Sequence, residues 1–439
     1  MVIMKRNILS IVSLSFLVVL AACKPKYEPE TASKGEIDPT RFVMIGGGQV
    51  AGYMDDGLTY DGQQNSLANI LAEQFKLVGG GDFKQALVSE TSVGISGAGL
   101  APFKLGYKTD CKGVTSLSPV RVATSGDATI LGEMLYTSGS PFGNFGIPGL
   151  KLAEVSFSGY ANYNPFFKRL ASSTSTSVLV DAKAANATFF SLFLGLDDVL
   201  GYARSGGTSG TLPSTADFET QYTAIVANMT ENGAKGVLAT IPDVTKMPYF
   251  TTIPWNGLNL DASNVGLLNS IYNPIGFYFE TGPNGFMMVD STANSFAVRP
   301  MANGDLLSLA VPLDSVKCNQ MGVLFPIRDE FILDAGEISV LRDKITAYNG
   351  IIKSIAAQYN LAVVETDKFA NNLSDGFIYN GVTMSAKFVS GGAYSLDAIH
   401  LNAKGNALLA NEFIKAINNK YKSTIPQVNA GKYNATFFP

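Results

Sequence analysis

The sequence offers few residues of the kinds that bind metals or attack substrates. His400 is the single histidine, and the three cysteines, Cys23, Cys111 and Cys318, form no Cys-x-x-Cys pair. Structural zinc sites need four cysteine or histidine ligands at characteristic spacings. A zinc site of this kind is therefore excluded, and we expect neither a metal nor a cofactor.

A glycine turn follows the first apolar run of the chain. Residues 42–45 read Phe-Val-Met-Ile and precede Gly46, Gly47 and Gly48. A glycine turn between a strand and a helix can bind phosphate through its backbone N–H groups. The fit is poor, because the Gly-x-Gly-x-x-Gly and Lys-Ser/Thr patterns are absent and the next predicted helix starts about twenty residues later. Phosphate binding is therefore a minor alternative.

Hydrophobic periodicity predicts strands that alternate with helices around this turn. Asp334 and Glu337 have the spacing of a capping box at the start of one of these helices. Strands are expected at 42–45, 188–194, 236–241 and from 361, and helices at 65–75, 216–232, 334–359 and around 408–417. The alternation favours an α/β fold, a three-layer α/β/α sandwich with a mostly parallel sheet.

Two stretches interrupt the alternation. Residues 78–160 are rich in glycine and serine, and residues 245–330 contain an expected hairpin that turns at Gly282 to Gly285. We expect both stretches to be large insertions packed onto one core. The aromatic segment 247–258, with the single tryptophan Trp255, is either a binding surface or part of an insertion core.

The order of these blocks resembles that of the SGNH, or GDSL, hydrolases over about residues 41–425. The first block of that family is a strand followed by Gly-Asp-Ser-Leu. Here Gly47 takes the place of the aspartate and Gly48 the place of the serine nucleophile. The third block, Gly-x-Asn-Asp, resembles Gly-Leu-Asp-Asp from Gly195, with Asp197 in the position of the asparagine that donates to the oxyanion.

Two further blocks carry the resemblance. "NFGIPG", which ends at Gly149, resembles the second block, whose glycine N–H helps to form the oxyanion hole. Asp397 and His400 resemble the Asp-x-x-His block before the last helix, in which the family has an orienting acid and a general base. This last match is the most specific.

These substitutions remove what acyl transfer requires. Gly48 supplies no hydroxyl for His400 to activate. Losing one donor of an oxyanion hole costs about 2.7–4 kcal/mol in the transition state, and an ionised Asp197 would add repulsion. We therefore expect an inactive hydrolase-like domain, in which the missing serine leaves extra room. The vestigial positions are Gly48, Gly149, Asp197, Asp397 and His400.

Other roles are open for the same residues. Asp397 and His400 could serve only to fix the loop before the last helix, or could still activate water. Ser66 could replace the lost nucleophile, although it has the position of an N-terminal helical serine. The alternative functions are a GDSL-type esterase, lipase or carbohydrate esterase with a rearranged site, and a glycan- or lipid-binding module.

The N-terminus has the pattern of an export signal. Lys5 and Arg6 precede an apolar run, and "LAAC", which ends at Cys23, resembles a bacterial lipobox. The resemblance implies cleavage after residue 22 and lipid attachment to Cys23; an ordinary secretory signal is the alternative. Residues 23–40 are expected to be a flexible tether of roughly 20–25 Å.

Export and charge limit the remaining possibilities. Because an exported chain lies in an oxidising compartment, Cys111 and Cys318 are expected to be paired rather than free buried thiols. The chain has 32 basic and 36 acidic residues and no basic patch, which disfavours nucleic acid as a partner. Residues 426–439 are expected to be a C-terminal extension.

Together these features predict an inactive, lipid-anchored outer-membrane protein that binds a partner through its two insertions. The expected partner is another envelope protein, an outer-membrane β-barrel or an assembly or transport complex built around one. This partner class follows from the anchor and the family resemblance alone. The sequence does not decide between the periplasmic and the outer face of the membrane.

Overall fold

The structure, a computed structural model, describes residues 31–290 and 296–439. Residues 33–439 form one compact unit. The predicted signal segment and the predicted lipidation site, Cys23, lie outside the described residues. Within the described ranges, no helix has the length and apolar character needed to cross a bilayer.

A parallel sheet forms the centre of the unit. Its strands are β1 (Phe42–Gly46), β2 (Asn144–Gly146), β3 (Phe189–Phe193), β4 (Lys235–Ala239) and β5 (Ala362–Val364). All neighbouring strands are parallel, in the order β2-β1-β3-β4-β5. The winding reverses between β1 and β3, and open α/β sheets bind ligands at the carboxyl ends of strands at such a switch point.

Helices cover the two faces of the sheet. On one face Leu67–Lys76 contacts Ala403–Tyr421, and on the other Thr215–Thr230 contacts Ala335–Gln358. The predicted α/β architecture with a parallel sheet is confirmed. The other helices are Gly48–Ala51, Tyr60–Gln64, Pro165–Lys168, Val178–Ala184, Leu196–Arg204, Pro248–Thr251, Ala262–Tyr272, Leu313–Cys318 and Thr366–Asp375.

Side-chain caps fix the starts of the predicted helices. The Asp334 carboxylate accepts a hydrogen bond from the Glu337 N–H at 2.8 Å, and the Glu337 carboxylate accepts one from the Asp334 N–H at 2.9 Å. The predicted capping box is therefore present. The Ser66 hydroxyl caps the helix Leu67–Lys76 by accepting from the Asn69 N–H at 3.1 Å, which gives this serine a structural task.

The first insertion is shorter than expected. Strand β2 lies inside the range 78–160 and belongs to the central sheet, so the sequence placed the end of this insertion too late. A strand of three residues has too few positions to show a period of two, and β2 was therefore not recognised. The longest element inserted before β2 is the antiparallel hairpin Phe103–Thr109/Thr115–Arg121.

The hairpin predicted at Gly282 to Gly285 is wrong. Gly282–Asn284 is itself a strand and pairs with Leu258–Leu260. The backbone of Phe279 is held by the Asn269 side chain instead, through hydrogen bonds of 2.7 and 2.9 Å. The other antiparallel pairs are Met287–Val289 with Val298–Pro300, Leu306–Leu307 with Ile332–Leu333, and Phe377–Tyr379 with Val382–Met384.

The second insertion has a hydrophobic cluster of its own. Leu268, Met287 and Ile327 are completely buried within it. Trp255 is half-buried and packs against this cluster.

A disulfide joins the two insertions. Cys111, in the turn of the hairpin 103–121, is bonded to Cys318, at the end of the helix Leu313–Cys318, with the two Cα atoms 6.4 Å apart. The predicted pairing is confirmed. Two ion pairs cross the same junction, Lys108 with Asp314 at 3.4 Å and Lys317 with Asp110 at 3.0 Å.

The end of the expected tether belongs to the folded body. The Glu36 N–H donates to the Tyr421 carbonyl at 2.9 Å, and Ile37 is buried. The Glu36 carboxylate also lies 3.4 Å from the Lys235 amino group, at the beginning of β4. This segment therefore joins the body at the amino ends of the strands, because burial of Ile37 outweighs the polar composition of its neighbours.

The C-terminal extension also packs onto the body. Asn411, in the last helix, accepts from the Val428 N–H at 2.7 Å and donates to the Val428 carbonyl at 3.0 Å. Ala430 is buried behind it.

Candidate functional site

The candidate site lies at the carboxyl ends of β1 and β3, at the switch point of the sheet. Gly48 is the first residue of the helix Gly48–Ala51, which begins directly after β1. The sequence expected no helix here, since four residues are too few to show helical periodicity. Asp197 lies in the first turn of the helix Leu196–Arg204, which follows β3.

Asp397 and His400 form a rigid pair in the loop before the last helix. His400 Nδ1 lies 2.9 Å from Asp397 Oδ2, and the backbone N–H of His400 donates to Asp397 Oδ1 at 2.8 Å. The N–H groups of Ile399 and Asp56 donate to the same carboxylate at 2.9 and 3.1 Å. These bonds hold the imidazole in one orientation, with Nε2 toward β1.

Burial and charge pairing shift the pKa values of Asp397 and His400 in opposite directions. Burial raises the pKa of Asp397. The charge of His400 and the hydrogen bonds that the carboxylate accepts from His400 and Ile399 outweigh burial and lower the pKa to about 2. Burial lowers the pKa of His400, but Asp397 and then Asp197 raise it above its ordinary value. The charge of Asp397 therefore favours the protonated form of His400.

His400 fills the space in which a serine at position 48 would stand. A Cβ atom on Gly48 would lie 2.4 Å from His400 Nε2, and a Cβ on Gly47 would lie 1.9 Å from Asp197 Oδ2. Both distances are far shorter than nonbonded contacts between carbon and nitrogen or oxygen. The expectation of extra room at Gly48 is wrong, because the His400 imidazole occupies it.

Asp197 is the charged group on the other side of the site. Its carboxyl makes no hydrogen bond or ion pair with any residue of the described ranges, and it remains partly exposed. Burial raises its pKa to about 7, His400 opposes that shift, and repulsion from Asp198 and Glu154 adds to it. Arg204 opposes the shift as well. Asp197 therefore titrates near neutral pH.

A cavity of about 620 Å³ opens above these residues. Gly149, Asp197, Asp397 and His400 line its floor, so the structure brings these predicted positions together. Gly149 has a φ of +81°, which favours glycine, and the space beside it is open. Both insertions contribute to the cavity wall, with Phe103 and Ser118 from the first and Leu313 and Lys317 from the second.

Several residues of the site were missed from the sequence. The Tyr53 ring lies 5.1 Å from the His400 ring, and its hydroxyl donates to Asp56 at 2.9 Å. Arg121 pairs with Asp56 at 2.7 Å from the far end of the first insertion, which no local pattern announces. Arg204 also lines the cavity. Its position seven residues after Asp197 on one helix was a signal that could have found it.

The arrangement has the parts of a base but not of a nucleophile. His400 and its orienting acid are in place, whereas position 48 offers no oxygen and Asp197 presents a carboxylate where acyl transfer needs a hydrogen-bond donor. No group of three histidine, cysteine or acidic residues is arranged to hold a metal ion in the part of the chain that the structure describes.

Comparisons with known proteins add little. No family model and no curated protein matches the sequence. Among solved structures, the chain is similar to the crystal structure of LAE5, an alpha/beta hydrolase enzyme from the metagenome of Lake Arreo, Spain. The identity is 12%, with 63% of this chain and 72% of that chain covered and a TM-score of 0.28.

Proposed function

We propose that this protein is a binding protein built on an SGNH hydrolase-like scaffold that has no hydrolytic activity. The observation that carries the proposal is the 2.4 Å separation between His400 Nε2 and a Cβ at position 48. Position 48 supplies no hydroxyl, and the His400 ring stands where a side chain at that position would begin. Asp197 adds negative charge beside the place where an oxyanion would form.

Turnover of short-chain nitrophenyl esters tests the loss of activity. We expect the wild-type protein to be no faster than the His400→Ala variant at any pH from 5 to 9. Gly48→Ser alone should not restore turnover, because its side chain meets the His400 ring and Asp197 stays in place. Wild-type turnover that disappears in His400→Ala would show an active enzyme and overturn the proposal.

We further propose that the protein is anchored to the outer membrane through a lipid on Cys23 and acts as a subunit of an envelope complex. The lipobox-like "LAAC" sequence supports the anchor. Residues 33–37 join the body at the amino ends of the strands, whereas the cavity lies at their carboxyl ends. The cavity and the insertions around it are therefore at the end of the body away from the attachment of the tether.

Purification from the native membrane tests the proposed complex. After detergent solubilisation we expect a β-barrel protein to co-purify in stoichiometric amount, and Cys23→Ser to release the protein from the membrane fraction. Absence of a stoichiometric partner would count against the complex, and membrane retention of Cys23→Ser would count against the anchor. Protease treatment of whole cells would decide which face of the membrane carries the body.

A further inference from the structure

Three polar side chains around the cavity have hydrogen-bonding atoms without a protein partner. Asp197 is unpaired, and His400 uses Nδ1 but not Nε2 in bonds to other described residues. Arg204 forms neither a hydrogen bond nor an ion pair with the described chain and lies 5.9 Å from the centre of the Tyr249 ring. Polar groups that face a cavity in this way are satisfied by water or by a ligand.

The spacing of two of these groups indicates an elongated ligand. Asp197 and Arg204 lie seven residues apart in the helix Leu196–Arg204 and both line the cavity. Seven residues are close to two turns, so the two residues lie on one face of the helix, with their Cα atoms about 10 Å apart along its axis. A molecule that contacts both groups is longer than one sugar ring or one amino acid.

The charges on the floor select the chemistry of the bound group. An ammonium group beside Asp197 would meet the His400 ring, whose protonated form Asp397 and Asp197 favour. A carboxylate or phosphate beside His400 would meet the negative charges of Asp197 and Asp397. A hydroxyl fits both neighbours, because it donates to the carboxylate of Asp197 and accepts from His400 Nε2–H.

The walls of the cavity suit a ligand with apolar faces and polar edges. Aromatic rings line it, namely those of Tyr53, Phe103, Phe166, Tyr249 and Phe388. Sugar rings have C–H faces that pack on aromatic side chains and hydroxyl edges that form hydrogen bonds. The volume of about 620 Å³ is within the usual range for small-molecule sites.

We propose that this cavity binds a neutral oligosaccharide, with one hydroxyl held between Asp197 and His400 and a second sugar unit near Arg204. The inference rests on the binding function proposed above and names the ligand class of the same site. A fatty acid is the contrasting ligand: its chain would cover the aromatic rings but would leave Asp197 and His400 unsatisfied, and its carboxylate would be repelled by both acids.

Calorimetric titration of the whole mature protein tests the assignment. The probes are the linear trisaccharides of glucose, xylose and N-acetylglucosamine, with laurate as the contrasting ligand. We expect at least one trisaccharide to bind at millimolar or lower concentration. Asp197→Ala should weaken it about tenfold or more, as expected for loss of a hydrogen bond to a charged group.

Arg204→Gln separates the two ends of the site. It should weaken the trisaccharide but leave the corresponding monosaccharide unchanged, since only the longer ligand reaches Arg204. Arg328→Gln is the matched control, because Arg328 is exposed and lies outside the cavity. If Asp197→Ala does not fold, Asp197→Asn keeps the shape of the side chain and replaces it in the titration.

Two results would overturn the inference. One is that no trisaccharide binds at millimolar concentration, whether or not laurate does. The other is binding that neither the Asp197 nor the Arg204 variant weakens. Both results leave the proposed lack of hydrolysis intact, whereas ester turnover that requires His400 would refute that proposal without removing a sugar-binding site.

Discussion

The two halves of the cavity floor are built in different ways. Asp397 accepts hydrogen bonds from the backbone of Asp56, Ile399 and His400 as well as pairing with the His400 ring. Asp197, opposite, has no partner in the ranges that the structure describes and lies against Gly47. The first half fixes the loop before the last helix, whereas the carboxyl group of the second half has no hydrogen-bond or ion-pair partner in the described ranges.

On the proposal that hydrolysis has been lost, this difference explains why Asp397 and His400 would remain. Replacing Asp397 would leave several buried N–H groups unsatisfied, so stability alone favours keeping it. A residue at position 48 or 197 that takes part only in a reaction has no such structural role. The pair Asp397–His400 is therefore weak evidence for catalysis, and the positions opposite it are more informative.

The largest expected effect comes from breaking the paired half. Asp397→Ala removes the charge that raises the pKa of the buried His400 and the acceptor of three backbone N–H groups. We expect the free energy of unfolding to fall by about 3–5 kcal/mol at pH 7, measured by urea denaturation. Asp375→Ala, an exposed control, should change it by less than about 0.5 kcal/mol. A loss below about 1 kcal/mol for Asp397→Ala would remove the proposed structural role.

The disulfide between the two insertions, which form part of the cavity wall, can be tested by the same measurement of stability. The double variant Cys111→Ser/Cys318→Ser should lose about 2–5 kcal/mol of stability, because the disulfide closes a long loop between the insertions. The neighbouring ion pair of Lys108 with Asp314 is exposed, so Asp314→Asn should cost at most about 1 kcal/mol. Equal effects of the two changes in thermal or urea denaturation would contradict the disulfide as the main connection.

Replacing Asp197, in the unpaired half, should raise the stability of the protein, whereas replacing Asp397 should lower it. The pKa of Asp197 is raised to about 7 in the folded protein, so its contribution to stability is present below pH 4 and is lost as the pH rises through 7. Asp197→Asn should remove this loss and make the protein more stable above pH 7, by on the order of 2–3 kcal/mol. Below pH 4 the variant and the wild type should agree.

Urea denaturation between pH 4 and pH 8 measures this difference. His400, Asp198, Glu154 and Arg204 all act on Asp197, so the comparison is made between wild type and variant at each pH. Asp375→Asn should show no such trend, because its side chain is exposed. A gain for Asp197→Asn that is equal at all pH values would contradict titration of Asp197 in this range.

A smaller effect is expected at the contact between Gly48 and the His400 ring. Gly48→Ala places a methyl group against the His400 ring and should cost about 1–3 kcal/mol of stability. Gly350→Ala is the matched control, since Gly350 is in an exposed helix position with open space around it, and it should be neutral or stabilising by up to about 1 kcal/mol. If Gly48→Ala is also neutral, His400 moves freely and the nucleophile position is not closed.

The sequence by itself determined the elements that have strong local patterns. The apolar runs that became β1 and β3 and the capping box at Asp334 depend on residues a few positions apart. The Asp-x-x-His spacing likewise located the pair Asp397–His400. Such features are readable because burial on one face and capping impose a short period on the residue types.

Only the tertiary structure decided how the site is filled. Gly48 and His400 are far apart in the chain, and no local pattern shows that the imidazole lies where a side chain at position 48 would be. The same holds for Arg121 beside Asp56 and for the pairing of Leu258–Leu260 with Gly282–Asn284. These contacts depend on how whole helices and strands pack against each other, and every intervening residue contributes to that packing. They therefore could not be deduced from the spacing of a few residues.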